Sequence, residues 1–242
     1  CVASSIALTA CHQPESKQPS SNATPAASSA VAQAPATTTA TSNSSETPVI
    51  GSGVSSNQTL ALKQNIQRIS ADVPVTFLYD PKQGNQITVT ADDNVQALIK
   101  ISTDQGILKI APLPKSLQSK TPIQVTWGGA APDAIDVAGS AKVILRQFKA
   151  DQLTANIAGS GEIDADGQTK NLNLSISGSG SFVAPQLISE KATIQLTGSG
   201  NIVTQVTQEV SGNISGSGAV TISGHPKGQN LSKNGSAQVV YQ

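Results

Sequence analysis

The chain has 242 residues, with 15 basic and 15 acidic side chains and a formal net charge of zero. Only 12% of its residues are charged and 2% are aromatic. Because proteins that bind phosphate backbones need a basic surface, this charge balance argues against nucleic acid as a partner. The many small polar residues and glycines are more typical of an extracellular β-solenoid than of a cytosolic enzyme.

Residues 1–11 are predicted to be the remnant of a lipoprotein signal peptide, because they are mostly small and apolar and the chain contains no Met. The stretch Leu8-Thr9-Ala10-Cys11 resembles the bacterial lipobox, in which a small residue precedes the cysteine that is lipidated. Cys11 is therefore the expected lipidation site. The alternative is Cys1, in a chain that has already been trimmed. His12 follows Cys11, and by resemblance to enterobacterial lipoproteins this favours the outer membrane over the inner one.

Residues 12–47 are predicted to form a disordered tether rich in Ser, Thr, Pro and Ala. Val31 is the only large aliphatic residue in this stretch, so nothing there can build a hydrophobic core. A flexible chain of this length has a root-mean-square reach of roughly 35 Å, enough to hold a folded domain clear of a membrane. The sequence contains no apolar run long enough for a transmembrane helix, so a lipid would be the sole membrane anchor.

Residues 48–128 are predicted to be strand-rich but irregular. The stretch opens with Val-Ile-Gly-Ser-Gly at 49–53 and ends in a polar loop at 112–121 before its last strand. Alternating patterns bounded by turn residues predict strands near 73–79, 86–91, 97–102, 107–111 and 122–127. We interpret this half as irregular opening coils of a solenoid that continues to the end of the chain. The alternative is a separate small β-domain.

Residues 129–242 carry a repeat centred on serines whose numbers increase by 20, 19, 20, 18 and 19, from Ser140 to Ser236. A fixed period of this size indicates stacked coils. Glycine permits a tight corner with positive φ and a close approach of backbones. The predicted structural corners are Gly139, Ser140, Gly159, Ser160, Gly161, Gly178, Ser179, Gly180, Gly198, Ser199, Gly200, Gly216, Ser217 and Gly218.

Apolar residues alternate with polar ones on both sides of each corner, as in Leu-Asn-Leu-Ser-Ile at 172–176. A period of two predicts strands with one buried and one exposed face. The sequence therefore predicts an all-β fold: a single-stranded parallel β-helix, or solenoid, with coils of about 19 residues. In the last repeat Lys233 takes a place that is apolar in earlier coils, which predicts a polar C-terminal cap.

The lipobox-like leader, the polar tether, the opening Gly-Ser-Gly and the five phased corners together resemble the auto-transporter adhesin head GIN domain family. The resemblance covers roughly residues 48 to 225. It implies a right-handed β-helix in a cell-envelope lipoprotein or a secreted protein. The chain departs from the family pattern at Ala141 and Ala237, which stand where the other repeats have their second corner glycine, and this departure predicts less tight corners there.

The strongest candidates for catalysis are Asp164 and Asp166, which lie two apart on one strand and so face the same way. Carboxylates in a groove are what a polysaccharide lyase or hydrolase would use. The charged side chains near them in the sequence are Asp133, Asp136, Lys142, Arg146, Asp151 and Glu162. No acidic position recurs from coil to coil, so the sequence favours ordinary solvated charges over a catalytic groove.

No metal site and no cofactor are expected. The chain lacks calcium-binding repeats, and its two histidines, His12 and His225, stand far apart with no cysteine in the folded part. The corner serines have no plausible histidine base, and their repetition favours a structural role. Trp127 is expected in the core, the alternative being an exposed platform for carbohydrate stacking.

The sequence therefore favours a non-enzymatic cell-envelope lipoprotein that presents a β-helix domain for binding or adhesion. The expected partners are the membrane, through the lipid anchor, and a glycan, peptidoglycan or surface protein. The alternatives are a carbohydrate-active β-helix enzyme that uses Asp164 and Asp166, and a purely structural scaffold of the envelope.

Overall fold

The computed structural model describes residues 48–242. The predictions for lipidation of Cys11, for its alternative Cys1 and for the tether at 12–47 lie outside these residues. Strands make up 65% of the structure, and the chain winds into a β-solenoid of about six turns, which confirms the predicted fold class. Among the described residues, no helix has the length and hydrophobicity that crossing a bilayer requires.

The first half contains seven short strands and little helix. One helical turn, α1 (Asp93–Gln96), interrupts them, and single 3-10 turns occur at Pro81–Gln83 and Asp104–Gly106. The strands are β1 (Ser55–Ala61), β2 (Arg68–Ala71), β3 (Thr76–Tyr79), β4 (Gln86–Asp92), β5 (Ile101–Ser102), β6 (Ile107–Ile110) and β7 (Gln124–Trp127).

The strand expected at 97–102 is wrong except at its last two residues. The backbone N–H groups of Leu98 and Ile99 donate to the carbonyls of Val95 and Gln96, so the turn begun by α1 continues beyond its last residue. Strands β1 and β2 were not expected. β1 is almost fully exposed, so its sequence does not need the alternation of apolar and polar residues by which a half-buried strand is recognised.

The second half contains the long strands of the regular repeat. Each of the longest ones bends within its length, so that its beginning and its end lie on different sides of the solenoid. The strands are β8 (Ala134–Gly139), β9 (Lys142–Gly159), β10 (Glu162–Gly178), β11 (Ser181–Gly198), β12 (Asn201–Gly216), β13 (Ala219–Ser223), β14 (Gly228–Gly235) and β15 (Gln238–Tyr241).

Parallel pairing stacks each coil on the one before it. One column of paired residues contains Lys142, Glu162, Ser181, Asn201, Ala219 and Gln238. The steps along this column are 20, 19, 20, 18 and 19 residues, the same as the steps between the corner serines. The spacing of the corner motif therefore predicts the coil length correctly.

The irregular half joins the same stack. Strands β2 and β3 pair in parallel with β8 and β9, and β6 and β7 continue the stack beneath them. Beyond this layer β4 and β1 add antiparallel strands at the N-terminal end. One core of buried apolar side chains runs from Ile66 to Ala237.

Inward-facing residues form apolar columns through the regular coils. One column contains Ile157, Ile176, Leu196 and Ile214, each at most 2% exposed, and it ends at Lys233, which is exposed. Burial of such a side chain contributes about 1.5–3 kcal/mol. The column shows that the coils are held together by stacked aliphatic side chains as well as by backbone hydrogen bonds.

At each regular corner the first glycine has a positive φ, for example 119° at Gly178 and 122° at Gly198. A Cβ on Gly178 would lie 2.6 Å from the carbonyl oxygen of Gly159 in the preceding coil. The amide of Ser179 donates to that same oxygen at 2.9 Å, and the serine side chain is exposed. Glycine is required here because the backbone conformation and the crowding both exclude a side chain.

The two repeats that carry alanine at the second corner position differ from each other. A Cβ on Gly139, in the first repeat, would meet nothing within 4 Å, so that corner is the looser one expected. A Cβ on Gly235, in the last repeat, would lie 2.5 Å from the Gly216 carbonyl oxygen, so that corner is as crowded as the others. Ala141 and Ala237 are both buried.

A buried carboxylate closes the N-terminal end of the fold. Asp92, at the end of β4, is fully buried and accepts hydrogen bonds from the Thr121 hydroxyl at 2.6 Å, the Lys120 amide at 2.8 Å and the Ser119 hydroxyl at 2.9 Å. The Gly53 amide donates to it at 3.1 Å, and a Cβ on Gly51 would collide with its Oδ2. The opening Gly-Ser-Gly therefore wraps this carboxylate.

These donors hold the pKa of Asp92 well below its usual range. The Thr121 hydroxyl has the largest effect, burial opposes it, and the amides of Lys120 and Thr121 and the Ser119 hydroxyl add to it. A carboxyl whose pKa is lower in the folded than in the unfolded chain stabilises the fold above its unfolded pKa. That stabilisation is lost as the pH falls below about 4, the ordinary carboxyl range, towards the folded-state pKa.

Replacing Gly178 by Val is expected to destabilise the protein by about 2 kcal/mol or more, because a β-branched residue is strained at positive φ and would collide with the preceding coil. The measurement is denaturant unfolding. Ser177→Val is the matched control: Ser177 is exposed on the adjacent strand, where a β-branched residue is well tolerated. An unchanged midpoint for Gly178→Val would contradict the stacked-corner geometry.

Replacing Asp92 by Asn is expected to flatten the acid-side loss of stability below about pH 4, because the group whose pKa differs between folded and unfolded chains is removed. Unfolding free energies measured across this range in both proteins check this result. Asp93→Asn, which removes an exposed neighbouring carboxylate, is the control. If the free energy of unfolding falls equally steeply below about pH 4 in the original chain and in Asp92→Asn, then Asp92 does not supply the acid sensitivity.

Candidate binding face

The structure spreads the candidate catalytic carboxylates over several ion pairs. Asp164 bonds the Lys142 ammonium at 2.9 Å, and Asp166 bonds the Arg146 guanidinium at 3.0 Å. Glu162 bonds the same Lys142 at 3.1 Å. The hydrogen bond to Asp164, followed by that to Glu162, raises the pKa of Lys142 against the opposing effect of burial.

Asp166 also has a local structural role. One of its oxygens accepts the backbone N–H of Gln147 at 2.6 Å, and Gln147 has the unusual φ of 49°. The carboxylate thus stabilises a left-handed turn in the preceding coil, which accounts for an acidic residue at this position without catalysis.

The remaining acidic candidates lie elsewhere. Asp136 pairs with Arg68 at 2.6 Å, and Asp151 pairs with Lys170 at 2.8 Å on another side of the coils. Asp133 is exposed just before β8. Within residues 48–242 no three His, Cys, Asp or Glu side chains are grouped closely enough to hold a metal ion.

The aromatic residues, except the exposed Tyr241, are part of the core. Trp127 is fully buried, with its ring centroid 5.5 Å from that of Tyr79, and the ring centroid of Phe148 lies 6.4 Å from that of Tyr79. The Tyr79 hydroxyl donates to the Gly129 carbonyl at 2.9 Å. Trp127 is therefore a core residue, as expected, and offers no surface for stacking a sugar ring.

The most uniform surface of the described chain lies on the second half of the long strands. Three outward-facing columns cross five coils, and we call these fifteen positions the polar face. They are Thr154, Asn156 and Ala158 on β9, Asn173, Ser175 and Ser177 on β10, Thr193, Gln195 and Thr197 on β11, Ser211, Asn213 and Ser215 on β12, and Asn230, Ser232 and Asn234 on β14.

Every position of the polar face except Ala158 carries a hydroxyl or a carboxamide, and none is buried. The residues that alternate with them along the strands, such as Leu174 and Ile194, point into the core. With strands about 4.8 Å apart and a rise of about 3.3 Å per residue, the face measures roughly 19 Å by 13 Å. It is rigid because each strand is hydrogen-bonded to its neighbours.

Most polar groups on this face have no partner within residues 48–242. The Asn156 amide donates to Asp136 at 2.8 Å, and the Thr154 hydroxyl accepts from the Gln152 amide at 3.2 Å. No other side chain of the face makes a hydrogen bond to another described residue. The face therefore presents many donors and acceptors that the described part of the chain leaves available to water or a ligand.

Charges lie beside the polar face but not on it. Lys191 and Glu209, 3.8 Å apart, border one side, and the Arg68–Asp136 pair lies at the N-terminal end. Another side of the same coils carries a groove of about 560 Å³ lined by Lys149, Asp151, Gln168, Lys170, Ile188 and Glu190, among others. The solenoid thus separates charged from uncharged surface.

The sequence indicated exposed Asn, Ser, Thr and Gln between the apolar residues, but it did not indicate which of them form one surface. Their alignment depends on coil lengths that vary from 18 to 20 residues and on register shifts, for example between Asp164 and Asp166. The predicted corner serines 160, 179, 199 and 217 are exposed at an edge and make no side-chain hydrogen bond to a described residue.

The comparisons with known proteins agree with this architecture. The model of the family described as "Putative auto-transporter adhesin, head GIN domain" matches residues 66–226, two thirds of the chain, so the chain belongs to that family. The matched region begins at residue 66, whereas the resemblance seen in the sequence begins near residue 48. No curated protein matched the chain.

The solved structures that are similar to this chain include two crystal structures of bacterial proteins. One is of a putative adhesin from Bacteroides fragilis NCTC 9343, with a TM-score of 0.66, 17% identity, and coverage of 80% of this chain and 100% of that one. The other is of a putative lipid binding protein from Parabacteroides distasonis ATCC 8503, with a TM-score of 0.51, 20% identity, and coverage of 81% and 99%. At these identities the likeness establishes the fold alone.

The double substitution Asp164→Asn with Asp166→Asn is expected to lower stability by about 1 kcal/mol per ion pair at most, because the pairs are partly exposed. No release of reducing ends from a panel of polysaccharides is expected from either protein. Denaturant unfolding and a reducing-end assay check both points. Turnover by the original chain that disappears in an equally stable double variant would instead identify these residues as catalytic.

Proposed function

We propose that the protein is a lipid-anchored cell-envelope protein with an adhesion-type role, in which the polar face of the solenoid is the binding surface. The observation that carries this proposal is the polar face itself: a rigid array of hydroxyls and carboxamides across five coils, most of which bond no other residue within 48–242. Rigid surfaces bind with a low entropic cost because few side-chain rotamers must be frozen.

Family membership and the fold support the adhesion-type role. The family's description and the name of the Bacteroides fragilis protein both contain the word adhesin, and neither describes an enzyme. The ion-paired states of Asp164 and Asp166 give the enzyme alternative no free acid and base. The role as a passive scaffold has no specific observation in its favour.

The anchor is the part of the proposal that rests on sequence. Lipidation of Cys11 would attach the chain to a membrane, and residues 12–47 would separate the solenoid from that surface. The outer membrane is the proposed site. A single flexible attachment would leave the polar face free to meet a partner on the same envelope or on another surface.

The test uses Cys11→Ala in a bacterium that expresses the chain with its complete leader. We expect the original chain to fractionate with membranes and to increase adherence of the cells to peptidoglycan, glycan or glycoprotein surfaces. Cys11→Ala should leave the membrane fraction and lose that adherence, whereas beads coated with either purified protein should adhere equally. Cys1→Ala is the matched control and should behave as the original.

Two results would contradict the proposal. Membrane attachment that survives Cys11→Ala but not Cys1→Ala would identify Cys1, and not Cys11, as the lipidated residue. Coated beads that adhere to none of these surfaces more than beads coated with an unrelated protein would remove the adhesion-type role and leave the scaffold alternative.

A further inference from the structure

The chemistry of the polar face restricts what it can bind. None of its fifteen positions is ionisable, aromatic or a large aliphatic residue. An acidic polymer needs Lys or Arg for its charges, and a membrane surface needs basic or aliphatic side chains. Protein interfaces obtain most of their energy from buried aromatic and Arg anchors, which this face lacks.

An uncharged, hydroxyl-rich polymer is the ligand class that remains. Carboxamides both donate and accept hydrogen bonds, and hydroxyls do the same, so the face can bond sugar hydroxyls in either direction. No charge has to be desolvated on either side, which would be costly without a counter-charge. The other sides of the same coils carry Lys142, Arg146, Lys170 and their carboxylate partners, so the absence of charge is local to this face.

The columns also indicate how such a chain would lie. Along a strand a ligand meets only three outward positions, whereas along the solenoid axis it meets five coils at a constant spacing of about 4.8 Å. The middle column is Asn156, Ser175, Gln195, Asn213 and Ser232. A polymer with repeating hydroxyls can make a similar contact at each coil, and linked contacts add affinity.

We propose that the polar face binds an uncharged polysaccharide chain extended along the solenoid axis. This inference rests on the proposed adhesion-type function and names its ligand class and binding geometry. The ligand is recognised by hydrogen bonds to short side chains on a rigid sheet. Its affinity grows with the number of coils that it crosses.

The test measures binding of the purified protein to linear uncharged glucan and mannan oligosaccharides of increasing length, by calorimetry. Affinity is expected to rise with length until the chain spans the five coils. Oligogalacturonates of equal length, which carry a carboxylate on each sugar, are expected to bind about tenfold more weakly or not at all, because no cation on the face meets their charges.

The variant Asn173→Ala, Thr193→Ala, Gln195→Ala removes polar groups from three adjacent positions and is expected to weaken binding by about tenfold or more. The control is Ser181→Ala, Asn201→Ala, Gln238→Ala, in which three outward polar groups of another side of the same solenoid are removed. Unfolding of both variants is measured, and equal midpoints attribute a difference in binding to the face.

The inference is overturned if no uncharged oligosaccharide of any length binds, if the acidic chains bind more tightly, or if both triple variants weaken binding equally. Affinity that stops rising at the shortest chains overturns the axial geometry. If coated beads adhere to surfaces while uncharged chains fail to bind, this inference is wrong and the adhesion-type function stands. Failure of both assays removes the proposed function as well.

Discussion

The whole structure depends on the registered stacking of one coil on the next. At the four corners from Gly159 to Gly216 a glycine with positive φ lies against the carbonyl of the preceding corner glycine, and the adjacent serine amide donates to that carbonyl. A side chain at Gly178 or Gly198 would separate the coils by pushing on this carbonyl. Because the corners fix where each strand begins, they also fix which residues share a column, inside and outside the solenoid.

The proposed function follows from that alignment. Inside, the columns bring aliphatic side chains such as Ile176 and Leu196 into contact. Outside, the same alignment gathers short polar side chains into one surface and keeps ion pairs such as Asp164–Lys142 on another. No single residue would make a binding site here. Repetition turns weak individual hydrogen bonds into a surface that a repeating ligand can follow.

The regular half could be predicted because its determinants are local and repeated. The steps between serines gave the coil length, and the period of two gave the inward residues. The antiparallel N-terminal end could not be predicted, since contacts such as Gly53 with Asp92 join residues far apart in sequence with no repeating signal. The burial of Asp92 could not be predicted either, because four of its five donors come from residues 119–121 and the fifth from Gly53, all far from it in sequence.

The most direct test of binding at the polar face is a nuclear magnetic resonance titration that follows side-chain amide signals while an uncharged oligosaccharide is added. If the polar face binds the oligosaccharide, the signals of Asn173, Gln195 and Asn213 move together, while those of Asn201 and Gln238, on another side of the solenoid, stay in place. Shifts confined to Asn201 and Gln238, or signals that do not move at saturating ligand, would contradict the assignment of the polar face as the binding surface.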